Sequence, residues 1–80
     1  KPSTQGSKTA QYLGPALRHL RERRGRKQYR VAEEAGISKG TLSTYEAGRS
    51  FPSIPTLFRL LDSLGSSLEE LDRVLRRLNQ

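Results

Sequence analysis

Residues 31–46, VAEEAGISKGTLSTYE, decide the fold. Helix-forming residues stand on both sides of a Gly36-Ile37-Ser38 interruption. A helix that stops at glycine and restarts within about three or four residues crosses its predecessor at roughly 90–120°. Gly36 can take the left-handed backbone conformation such a turn needs without a Cβ penalty. Ala32, one turn earlier, is small enough to let the second helix approach. Ser38 supplies a hydroxyl that can accept an N–H of the following turn. At helical spacing, Ile37, Leu42 and Tyr45 then point inward, and Lys39, Gly40, Thr41, Ser43 and Thr44 point out. The outward face is narrow and short-chained.

Working outward from this pair, residues 1–12 read as a flexible lead-in, because KPSTQGSKTAQ has no apolar period. Gly14-Pro15 opens a helix over 14–24, with Leu13, Ala16, Leu17 and Leu20 inward and Gly25 as its stop. A second helix runs from Gln28 to Ala35 with Val31, Ala32 and Ala35 inward, and the third follows Ser38 and ends near Gly48. Ser53 caps a fourth helix, whose apolar stripe is Ile54, Leu57, Phe58, Leu60, Leu61 and Leu64 and whose terminator is Gly65. Ser67-Leu68-Glu69-Glu70 matches a capping box, in which Ser67 and Glu70 satisfy each other's N–H groups, and it opens a fifth helix through Leu78. No period-2 strand pattern occurs. The chain therefore reads as all-α, five helices in one domain.

Eighty residues bury a modest core and leave little room for a deep catalytic pocket. Without cysteine there are no disulfides and no thiolate ligands, which fits a reducing compartment. No apolar run approaches the roughly 18–20 residues of a membrane span, so the expected location is cytoplasmic, on the nucleoid. Fifteen Lys and Arg against eight Asp and Glu give a net charge of +7. The excess is local: residues 18–30 hold Arg18, Arg21, Arg23, Arg24, Arg26, Lys27 and Arg30 against Glu22. Such a block draws a polyanion, of which nucleic acid is the commonest; a solvated helix face is the competing reading. The small polar face of the third helix suits a groove, where a backbone must come close and hydroxyl or amine groups meet phosphates or base edges.

At these residues the chain resembles the helix-turn-helix domains of the Xre/Cro type, which include the lambda-repressor-like regulators. The resemblance covers about residues 13–72 and rests on several blocks in order: LRHLRERRG, Gln28, VAEEAGIS, TLSTYEAGR, FPSIPTLFRLLDSLG and SLEEL. It implies a five-helix lambda-repressor-like bundle over residues 13–80. It also implies a homodimer that binds a palindromic operator in double-stranded DNA and controls transcription, usually as a repressor. By position, Gln28 matches a glutamine that touches a phosphate while bracing the recognition helix. Lys39, Gly40, Thr41 and Thr44 match positions that reach base edges or flanking phosphates, with Ser43 at the margin of that face. Arg21 and Glu46 match a pair that commonly forms an ion pair, a phosphate contact by Arg21 being the alternative. Arg49 matches a loop position that often contacts phosphate.

Arg26, Lys27 and Arg30 flank the groove-facing helix and, with Gln28, Ser38 and Arg49, are the phosphate candidates. Only Lys39 could make the arginine- or lysine-to-guanine contact that most often specifies a base, so direct readout is expected to be modest, with operator shape, water and half-site spacing adding to it. In the last helix Leu68, Leu71, Leu75 and Leu78 follow a 3-4-3 spacing. Leu68 and Leu71 are assigned to the core, and Leu75 and Leu78 to a twofold interface. The chain is not expected to be an enzyme or to hold a cofactor or metal: His19 is the only histidine, and the partners that a nucleophilic triad or zinc site needs are missing. Two alternatives remain at this level: an antitoxin of the same fold with a toxin partner, and a helix-turn-helix scaffold or coactivator that binds another protein.

Overall fold

The computed structural model describes residues 11–80. Among them are five α-helices and no strand: α1 Leu13–Arg23, α2 Gln28–Ala35, α3 Lys39–Glu46, α4 Ile54–Ser63 and α5 Leu68–Leu78. The lead-in expected over residues 1–12 lies outside the described residues except at its end. There, Tyr12 belongs to the folded domain, because it caps α1 and its carbonyl accepts the Ala16 N–H at 2.8 Å.

The break between α2 and α3 is a left-handed glycine. Gly36 has φ 75° and ψ 27°, its N–H donates to the Glu33 carbonyl at 3.1 Å, and the Ile37 N–H reaches back to the Ala32 carbonyl at 3.0 Å. These two bonds satisfy carbonyls that the end of α2 would otherwise leave open. Two residues later Ser38 is extended, and its Oγ accepts the Thr41 N–H at 2.9 Å to start α3. Ser53 and Ser67 start α4 and α5 in the same way, through the N–H groups of Thr56 and Glu70. Only this half of the expected capping box forms. The Glu70 carboxylate turns instead to the Ser66 hydroxyl, 2.7 Å away, and to Arg23 and Arg24 at the end of α1.

α1 packs against α3 and α5, and α2 packs against α3 and α4. Leu17, Leu20, Val31, Leu42, Leu60 and Leu61 are the largest fully buried side chains. Gly14 does more than open α1. A Cβ there would collide with the Tyr45 carbonyl and lie 2.8 Å from that of Glu46, so a residue without a side chain is what lets the start of α1 cross the end of α3.

Three residues assigned to the core from the sequence lie outside it: Ile54 is 65% exposed, Phe58 46% and Leu68 48%. Val74, which the leucine spacing passed over, is buried next to Leu71 in their place. Leu75 is half-buried against the core, so its own domain takes much of the side chain assigned to a twofold contact; Leu78 remains exposed.

Candidate nucleic-acid interface

α3 has one dry face and one wet face. Leu42 and Glu46 are buried; Lys39, Gly40 and Ser43 are exposed, and Thr41 and Thr44 are half-exposed. The hydroxyls on the wet face are not equivalent. Ser38 Oγ donates to Thr41 Oγ1 at 2.8 Å while it caps the helix, which ties up both functions of that serine. Thr44 Oγ1 donates to the Gly40 carbonyl at 2.9 Å. Among the described residues, Ser43 and Lys39 have no side-chain partner in the fold.

α3 is held by a bracket at its C-terminal end. Arg21 on α1 meets Glu46 through two parallel bonds, Nε to Oε2 at 2.7 Å and Nη2 to Oε1 at 3.0 Å. Gln28, the first residue of α2, donates to the same Oε1 at 2.8 Å, and Arg21 Nη1 reaches the Arg26 carbonyl at 2.9 Å. The side chains of Arg21 and Glu46 are only 13% and 5% exposed, so the two charges meet with little water between them. The hydrogen bonding that Arg21 donates to the Glu46 carboxylate holds the Arg21 pKa above its ordinary value. Three helices are thereby tied at one carboxylate, with α3 fixed against α1 and α2.

Much of the basic block is neutralised within the fold. Arg18 pairs with Glu22 at 3.0 Å, Arg23 and Arg24 with Glu70, and Arg26 with Glu34 at 2.8 Å. Hydrogen bonds and the nearby guanidinium charges hold the acidic partners below the usual carboxylate range. For Glu34 the Ser63 hydroxyl contributes most and Arg26 next; for Glu70 it is the Ser66 hydroxyl, then Arg24 and Arg23; for Glu22 it is Arg18. Glu34 and Glu70 are therefore fastened to other helices, not merely solvated as adjacent acidic residues on a helix usually are.

Arg26, a phosphate candidate from the sequence, is engaged within the fold: its Nη1 donates to the Ser63 carbonyl at 2.9 Å and its Nη2 to Glu34, so it staples the α1–α2 turn to α4. Among the described residues, Lys27, Arg30, Lys39 and Arg49 have no carboxylate partner. Lys27 and Lys39 line one open cleft together with Arg21, Gln28 and Tyr29. A second cleft, sharing Arg21 and Gln28, is bounded by Arg18, Ser43, Glu46 and Ala47. Gln28 thus stands between the cationic cleft and the end of α3. The sequence reading missed Tyr29, which is 52% exposed at the cleft, with the Arg30 guanidinium 6.0 Å from its ring centroid. An aromatic residue set among cations, in Arg26-Lys27-Gln28-Tyr29-Arg30, was the available signal.

No group of three or more His, Cys, Asp or Glu among the described residues could hold a metal ion, and no helix among them is long and apolar enough to cross a membrane.

A model of the helix-turn-helix domain family matches residues 13–74. The HTH-type transcriptional regulator SutR of Escherichia coli K12 is 36% identical over 55 residues, 69% of this chain and 31% of SutR. PuuR of the same organism, another HTH-type transcriptional regulator, is 39% identical over 57 residues, 71% of this chain and 31% of PuuR. The chain thus spans about a third of the length of these two relatives. An uncharacterized HTH-type transcriptional regulator of Sinorhizobium fredii, y4dJ, is 37% identical over 59 residues, 74% of this chain and 77% of y4dJ. Among solved structures, the clp gene regulator ClgR from C. glutamicum superposes with a TM-score of 0.81 at 28% identity, over 98% of this chain and 95% of that one.

Proposed function

The chain belongs to the helix-turn-helix domain family, and from that premise we propose that it is a sequence-specific double-stranded DNA-binding transcriptional regulator of the Xre/Cro type and not an enzyme. One observation carries the reading: α3 turns Lys39, Gly40, Ser43 and the edges of Thr41 and Thr44 outward, while its opposite face is clamped by Arg21, Glu46 and Gln28. A helix held this firmly, with a low outer profile, can enter a major groove about 12 Å wide as a rigid reader.

In this reading Lys39, Gly40, Thr41, Ser43 and Thr44 face base edges. Lys27, Arg30 and Arg49, with Gln28 and the Ser38 turn, meet phosphates on either side. If Lys27, Arg30 and Arg49 each neutralise one phosphate, log K falls by about 2.7 per tenfold rise in salt for each protomer. We take the regulator to act as a homodimer on a palindromic operator, as a repressor that covers its site. Support for the dimer lies in the large apolar side chains left bare on and beside α4. Ile54 and Phe58 share a face one turn apart, and Phe51, 56% exposed, precedes them. Leu78 and Leu68 add exposed apolar area on α5. Placed on one face of B-DNA, two α3 helices would sit about 34 Å apart.

A salt-titrated mobility shift on fragments of the source genome tests this. A small set of fragments should stay bound at salt concentrations that release random DNA. No binding at low salt, or no preference among fragments at any salt, would refute sequence-specific regulation.

A further inference from the structure

We infer that Thr44 determines specificity by presenting its methyl group, not its hydroxyl, so that the DNA site contains a thymine whose 5-methyl group packs into the gap over Gly40. The inference rests on the DNA-binding reading above and specifies which base that surface selects.

The argument starts from one hydrogen bond. Threonine offers a groove either a hydroxyl or a methyl group. Here the hydroxyl proton is already spent: Oγ1 donates to the Gly40 carbonyl, four residues back along the helix, at 2.9 Å. A donor committed to its own backbone cannot serve a guanine O6 or N7 or a thymine O4 without breaking that bond. The methyl group is the other substituent on the same Cβ, and Thr44 is half-exposed.

The position of Gly40 completes the geometry. Side chains on a helix lean toward its N-terminus, so Thr44 lies over the turn that contains Gly40. With no side chain at 40, nothing covers that turn. Apart from adjoining residues and the helix's own backbone, a Cβ built there would find a single neighbour within 4 Å, Ser38 Oγ at 3.9 Å. The gap is open to solvent, its floor is backbone, and Thr44 stands one turn further along the same face. The major groove presents one apolar group able to enter such a gap, the 5-methyl of thymine, which threonine methyls contact favourably. Adenine, guanine and cytosine offer only polar or aromatic edges there. Lys39 and Ser43, whose polar ends the fold leaves uncommitted, remain for an adjacent base pair or phosphate.

The test begins with duplexes selected by the protein from random DNA, followed by replacement of each thymine by uracil, which removes the methyl group and keeps every hydrogen-bonding group. One thymine per half-site should be sensitive, with affinity falling about fourfold for one buried methyl group. Thr44→Ser, which keeps the hydroxyl, should bind the thymine duplex about fourfold more weakly and should not distinguish thymine from uracil. Thr44→Val, which keeps a methyl group and discards the hydroxyl, should bind like the unsubstituted protein. Gly40→Ala should fold normally by circular dichroism, because its methyl meets open space, yet lose affinity for the thymine duplex and its preference over uracil.

A uracil scan without effect on a duplex that the protein binds tightly would overturn the inference and leave the DNA reading standing. So would a Thr44→Val variant as weak as Thr44→Ser. Failure to bind any duplex at low salt would sink both.

Discussion

Glu46→Gln should loosen α3 from the rest of the molecule at a cost that can be worked from the bracket around it. The substitution keeps the shape and removes the charge. Two bonds from Arg21, at 2.7 and 3.0 Å, lose their anionic acceptor while the guanidinium keeps its charge. A hydrogen bond to a charged group contributes about 1.5–3 kcal/mol, and the loss of one of the two puts the cost at about 2–3 kcal/mol. An amide also carries only one acceptor oxygen where the carboxylate has two. It therefore turns a donor either toward Arg21 or toward the Gln28 amide, which donates at 2.8 Å. Arg21 itself stays charged at every working pH, as any arginine does, and its side chain is only 13% exposed. Leaving such a cation without its partner brings the loss to about 3 kcal/mol. A domain of this size has about 4–10 kcal/mol of total stability. The thermal midpoint should therefore fall by about 12–24 °C.

Thermal and urea unfolding followed by far-ultraviolet circular dichroism at neutral pH measure this, with Arg21→Met as the second arm of a cycle. The double variant should be scarcely less stable than Glu46→Gln alone, a coupling of about 2–3 kcal/mol. A Glu46→Gln variant within about 0.5 kcal/mol of the parent, the size of an ordinary surface change, would refute the reasoning. Strict additivity in the cycle would refute it too, since the bracket would then hold nothing.

Two identical chemical changes should have opposite signs. Gly14→Ala should destabilise by about 1–3 kcal/mol or more, because its Cβ runs into the backbone of Tyr45 and Glu46. Gly40→Ala should stabilise by up to about 1 kcal/mol, because it gains helix propensity and meets open space; thermal unfolding of both reads the contrast. Alanine at Lys27, Arg30 or Arg49 should flatten the salt slope of DNA binding by about one each. Arg26→Ala should leave that slope unchanged and lower stability by about 1 kcal/mol, since it loses Ser63 and Glu34, not a phosphate. Glu22, Glu34 and Glu70 all have folded pKa values below the ordinary 4.5. The unfolded chain thus takes up protons first on acidification, and the stability these groups give, complete above pH about 4.5, should drain away as pH falls through their depressed values. Glu34→Gln combined with Glu70→Gln should flatten that acid limb in unfolding curves recorded across the range.

What could be read before the structure, and what could not, divides by distance along the chain. The end of α2 and the start of α3 were legible because their causes are local: Gly36 closes α2 within five residues, and Ser38 caps the next turn from three residues away. The inward set Leu42 and outward set Lys39, Gly40 and Ser43 followed from helical period alone. On α4 the same reasoning overreached. At about 100° per residue, Leu60, Leu64, Leu57, Leu61, Ile54 and Phe58 sweep an arc of roughly 160°, and the sequence does not say which part a neighbour covers. The fold covers Thr56, Leu60, Leu64 and Leu61, and partly Leu57, so Ile54 and Phe58 fall off the uncovered edge. The basic block shows the same limit in charge. Five of its seven cations are met by Glu22, Glu34, Glu46 and Glu70, and three of these four acids lie outside residues 18–30. Local charge density therefore marks a positive region without saying which of its members stay free: of the three candidates taken from the block, Arg26 is paired with Glu34, and Lys27 and Arg30 have no carboxylate partner among the described residues. Once the carboxylates have folded back, Lys27 and Arg30 are what the block still offers. Lys27 lines the same cleft as Lys39 on α3, so the available charge lies beside the outward face of that helix and not along α1.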